Sequence, residues 1–130
     1  MLARAAFGDR GTRLRSARDV VHFSSELDVR AIATQWAAAN GYRTEWVSGL
    51  ALVFSKRLEM RSLPIMVELA SRERAHTLSC WGRRGRLMLT RDISLTDEAR
   101  PGRGFRREAQ REVNALLWEL GAPPLPRSQR

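Results

Sequence analysis

Two runs, Ile65–Ala70 and His76–Trp81, flank the charged stretch Arg72-Glu73-Arg74-Ala75, and in both the apolar residues recur at every second position. That period belongs to β-strands, whose side chains point alternately to the two faces of a sheet. With the charged stretch closing a hairpin, the numbers of opposed residues sum to about 147. Ile65, Val67, Leu69, Leu78 and Cys80 then share one face, and Met66, Glu68, Thr77, Ser79 and Trp81 share the other. The first face reads as core. The second is amphipathic and is expected to look toward water or a partner, with Trp81 and Met66 as interface residues.

The elements around this hairpin follow from the same rules. Asp19–Ser24 combines β-branched and aromatic residues between serines and reads as a short strand. Ser25 and Asp28 have the spacing of a capping box, so a helix is expected to begin at Ser25. Val29, Ile32, Ala33, Trp36 and Ala37 form its apolar stripe, and Asn40-Gly41 supplies a left-handed stop. Arg43–Val47 and Leu50–Ser55 read as strands joined across Ser48-Gly49. A further strand is expected from about Arg86 to Leu89 or beyond, with Gly82-Arg83-Arg84-Gly85-Arg86 as a hairpin tip. The last helix spans about Phe105–Leu120, with Ala109, Val113, Leu116, Leu117 and Leu120 on one side and Gly121 at its end. The order β-α-β-β-β-β-α implies an α+β domain, one antiparallel sheet with two helices on its core face.

Composition enters where it limits the organisation. The chain has 130 residues, 43% of them hydrophobic, which suits a single core without metal or disulfide support. The longest apolar run, Leu50–Phe54, is five residues, so no transmembrane helix is expected. The lone Cys80 excludes an internal disulfide and fits a reducing compartment, and the expectation is a cytoplasmic protein. Residues 1–18 read as a basic N-terminal arm, with a targeting sequence or an unstructured start as alternatives. Residues 19–121 form the domain, and 122–130 are a Pro-rich tail.

Three strings carry a resemblance. Trp36-Ala37-Ala38-Ala39-Asn40-Gly41-Tyr42, Leu78-Ser79-Cys80-Trp81 and Arg111-Glu112-Val113-Asn114-Ala115-Leu116-Leu117, the last followed by Leu120-Gly121, resemble a group of small bacterial proteins of unassigned function over about residues 20–125. The resemblance implies a compact bacterial domain and carries no activity.

Catalytic chemistry finds little purchase in these residues. His76 and Cys80 point the same way along one strand but lie about 13 Å apart at a rise of about 3.3 Å per residue, beyond reach of a direct dyad. His22, His76 and Cys80 are the only nitrogen or sulfur ligands available to a metal and have no ligand spacing. Glu108 and Glu112 read as a solvated face of the last helix. Neither an enzyme nor a cofactor is expected.

Charge is the better lead. The chain carries a formal net charge of +9, and 22 of its 23 basic residues are Arg, Lys56 being the exception. The excess sits in residues 1–18 and 82–107, whereas 19–81 and 108–130 are balanced. Arg83, Arg84 and Arg86, with Arg100, Arg103, Arg106 and Arg107 around the start of the last helix, are expected to form one anion-facing patch. Trp81, Met66 and Trp118 supply apolar anchors beside it. The reading is a non-enzymatic interaction or assembly module that docks these arginines on an acidic protein partner or on its own copy. Nucleic-acid backbone binding is the first alternative, against which no nucleic-acid motif and few stacking aromatics stand. Peripheral attachment to an anionic membrane surface is the second.

Overall fold

The computed structural model describes residues 18–57, 64–86, 89–96 and 103–126, the side chains of 84–86, 89–93 and 103–105 excepted. Among the described residues one antiparallel sheet of six strands carries two helices, an α+β architecture. The strands are β1 Asp19–Ser24, β2 Arg43–Val47, β3 Ala51–Arg57, β4 Pro64–Arg72, β5 Ala75–Arg86 and β6 Leu89–Ile93. Helix α1 spans Val29–Ala39 between β1 and β2, and α2 spans Arg103–Leu120 after β6. The element order is the expected one with β6 inserted before the last helix.

Across the sheet the strands run β1-β5-β4-β3-β2, with β6 also paired to β5. Met66 opposes Trp81 and Val67 opposes Cys80, the register that the alternation implies. Arg72 and Ala75 close this hairpin around Glu73, whose φ of 56° is the left-handed value the tight turn demands. Strand β5 is longer than the sequence suggests. Its first half pairs with β1 and its second, Gly82–Arg86, pairs with β6, so Gly82–Arg86 is strand and not a hairpin tip. Two glycines and three arginines carry no apolar alternation, which hid the continuation.

Helix α1 begins one turn later than the capping-box spacing implies. Asp28 is the N-cap, and its carboxylate accepts from the Ala31 amide at 3.2 Å. Ser25 is engaged elsewhere: its amide donates to the Arg74 carbonyl at 3.1 Å, and its hydroxyl accepts from the Leu27 amide at 3.0 Å. Gly41, at φ 79°, turns the chain out of α1 so that the Tyr42 amide donates to the Ala37 carbonyl at 2.8 Å.

Val29, Ala33, Trp36 and Ala37 from α1 meet Val113, Leu116, Leu117 and Leu120 from α2 and Phe54, Val67, Leu69, Leu78 and Cys80 from the sheet in one buried cluster. Each such large apolar side chain is worth about 1.5–3 kcal/mol when fully buried. Leu125 joins the cluster, held by its amide donating to Asn114 Oδ1 at 2.8 Å. No helix among the described residues is long and apolar enough to cross a membrane.

Candidate functional site

The outer face of the sheet is not the open surface that its amphipathic pattern suggests. Met66 and Trp81 are only 2% and 3% exposed. The Arg18 guanidinium lies 3.6 Å from the Trp81 ring centroid and pairs with Glu68 at 3.6 Å. A cation held over an indole by a neighbouring carboxylate closes off that ring. Trp81 and Met66 are therefore packed residues and not interface anchors.

The arginines divide as well. Arg106 is buried at 4% exposure, and its Nε donates to the Ser94 carbonyl at 2.8 Å. It belongs to the attachment of α2 and does not face solvent. Arg83 is exposed and, by alternation with Trp81, stands on the outer face, whereas exposed Arg107 sits on α2 across the sheet. These two do not share a patch. Arg84 and Arg86 lie in β5 and Arg103 opens α2, but their side chains fall outside the described part, as does Arg100 altogether. Trp118 is 84% exposed, on the α2 face that also presents Arg107 and Arg111.

Four polar side chains that hold the fold escape a reading of local pattern. Asp19, at 8% exposure, accepts from the Leu95 amide at 2.8 Å and the Thr96 hydroxyl at 2.6 Å, pinning the end of β6 to the start of β1. Gln110 donates to the Leu95 carbonyl at 2.6 Å from the other side. Glu112 is no solvated acid. It accepts from the Tyr42 hydroxyl at 2.8 Å and from Lys56 Nζ at 2.9 Å, with Tyr42 stacked 4.4 Å from Trp36. Burial first, and then the hydrogen bond to Glu112, push the Tyr42 phenol's pKa well above its ordinary value. Buried His76 bonds Ser71 Oγ and the Ser25 carbonyl, at 2.9 and 3.3 Å, and so bridges the hairpin to the entry of α1. Each of these side chains is spent on structure. Among the described residues no three of His, Cys, Asp or Glu gather as metal ligands would.

The strand order ends in β1 and β2, and of the two β2 is the more exposed. Every residue of β2 is exposed, and Trp46, Val47 and Leu50 are 61%, 60% and 62% exposed. Leu27, at 53%, is exposed at the entry to α1. Ser48 builds the sharp turn into β3, its hydroxyl accepting from the Ala51 amide at 3.0 Å, and this presents Leu50 at the tip. Between β2 and α1 runs an open groove of about 580 Å³ with Val47 and Leu52 on its sheet side. Arg30, Thr34 and Gln35 line the helix side. A bulge between Thr44 and Trp46 kinks the strand, and Glu45, on the outer face, accepts from the Ser55 hydroxyl and pairs with Arg43.

A strand edge with unpaired backbone groups is a template for another chain, and large apolar residues beside it add area to any contact. This combination of backbone edge, apolar tip and polar groove suits recognition of a polypeptide more than catalysis. Compared with models of known protein families, with curated protein sequences and with solved structures, the chain matches none. Geometry and charge alone carry the functional reading.

Proposed function

We propose that this protein is a non-enzymatic interaction module that docks an acidic protein partner along the β2 edge. The observation that carries the reading is the exposure of Trp46 and Val47 on β2, with Leu50 in the turn after it, on a strand that among the described residues is paired on one side only, to β3. The formal net charge of +9 supports an acidic partner, since long-range attraction speeds encounter while the apolar edge supplies contact area. Trp and Arg are the residues most often found at the energetic centre of such contacts.

Placing a photo-crosslinking amino acid at Trp46 or Val47 tests this directly. The expected products are adducts with an acidic protein that survive nuclease treatment, while the same probe at Val20 on β1, at the other end of the strand order, gives none. Adducts only at Val20, or adducts that nuclease removes, would overturn the reading.

A second reading, binding of a nucleic-acid backbone, is favoured by one feature. Exposed Trp118 shares its helix face with Arg107 and Arg111, which places a stacking surface near positive charge. Salt titration of single-stranded RNA binding decides it: a Trp118→Ala and Arg111→Ala pair should lower both affinity and salt slope if this surface binds RNA.

A further inference from the structure

Among the described residues three buried side-chain nitrogens have no hydrogen-bond partner: Trp36 Nε1, Trp81 Nε1 and Arg30 Nη1. The two indoles belong to side chains that are themselves buried, but Arg30 lines the open groove beside β2. A guanidinium nitrogen removed from water without an acceptor is costly, more so than a neutral donor, and a small swing of the flexible, half-buried Arg30 side chain into the groove would let a ligand carboxylate relieve it. Asp28 also lines the groove, and its Oδ1 accepts from the Ala31 amide as the N-cap of α1.

We propose that the groove receives an extended segment of the partner protein, paired to the free edge of β2, with an Asp or Glu side chain of that segment seated on Arg30. This rests on the docking reading above and names its ligand. Side chains of an added strand alternate between the two faces of the sheet. One set enters the groove against Val47, Leu52 and Thr44, where Arg30 awaits an anion. The other set stands on the outer face beside Trp46, which pairs with Val53 there. Glu45 and Arg43 also occupy that outer face, paired with each other, so an acid gains little there, whereas the Arg30 nitrogen without an acceptor lies on the groove side. The recognised pattern is an acidic residue and an apolar one at odd spacing in an otherwise uncharged extended run.

The full chain, panned against a displayed library of random dodecapeptides, tests this. The expected result is enrichment of sequences with one Asp or Glu at a fixed place relative to apolar residues. A fluorescein-labelled peptide made from the leading sequence should shift the β2 amide resonances and bind with anisotropy that falls at least tenfold in affinity when its acid becomes Gln. Arg30→Gln should weaken the acidic peptide by the same factor and leave the Gln peptide unchanged, and Arg30→Lys should recover part of the loss without restoring the fork. Thermal melting of both variants checks that α1 is intact. If enriched peptides shift β2 but lack an acid, or bind Arg30→Gln equally well, the carboxylate assignment is wrong and edge docking stands. If no peptide is enriched and the chain instead dimerises through β2, with its amide shifts varying with protein concentration, the peptide proposal is wrong. Crosslinking at Val47 to an acidic protein then stands or falls on its own result.

Discussion

Cys80 lies fully buried with its thiol toward the core, and burial, with a smaller contribution from the Asp19 charge, pushes its pKa well above the ordinary value. An unfolded thiol titrates near about pH 8.5, so above that pH the unfolded chain has released a proton that the native chain retains. The stabilisation is therefore full below about pH 8.5 and is lost as the pH climbs toward the folded pKa. Between about pH 7.5 and about pH 9.5 the loss from this one group is on the order of 1 kcal/mol. Tyr42, also raised, adds a second loss above about pH 10. Urea unfolding of the wild type and of Cys80→Ala at the two lower pH values checks this. The variant starts less stable because it leaves a small void, but its alkaline decline should be shallower. An equal decline in both proteins would mean that another group titrates.

At the scale of elements, α2 is fastened to the sheet and to the start of β2 by Glu112. Its side chain is 15% exposed and that of Lys56 21%, so both ions are largely removed from water. Glu112→Ala leaves the Lys56 ammonium and the Tyr42 hydroxyl without their acceptor and should cost about 2–3 kcal/mol. Replacing the ion pair as a whole, with Lys56→Met and Glu112→Leu together, should cost much less than Glu112→Ala, because no charge is then stranded. Chemical denaturation of the three proteins gives the comparison. A double variant as damaged as the single one would show that the pair stabilises on its own account. Asp19 does a similar task at the other end of α2's path, where Ser94, Leu95 and Thr96 are held between it and the helix. Asp19→Ala should therefore lose amide exchange protection first in β6, and uniform loss across the sheet would contradict this local role.

For the whole molecule, both helices and the sheet contribute to one apolar cluster. A single core predicts one cooperative transition: far-UV circular dichroism and tryptophan fluorescence should give coincident urea curves. Two separated midpoints would mean that some part of the sheet, such as the β5–β6 extension beyond β1, unfolds by itself. Most elements and the β4–β5 hairpin register were legible in the sequence because each depends on neighbours a few positions away. The second half of β5 was not, since Gly82–Arg86 carries no apolar alternation. Val67, Leu69, Leu78 and Cys80 declare a core face by period alone, and Val29, Ala33 and Trp36 declare a helical one. The candidate site was not legible. Trp46 and Val47 read as ordinary strand residues, and their exposure follows from β2 lying at the edge of the order β1-β5-β4-β3-β2. Nor does a local pattern reveal that Arg18 covers Trp81, that Arg106 reaches the Ser94 carbonyl or that Glu112 meets Tyr42 and Lys56. Local periodicity determined which residues form strands and helices and which of their faces are apolar. Only the tertiary packing decided which polar faces are covered and which edge stays open, because those outcomes depend on partners brought together from distant parts of the chain.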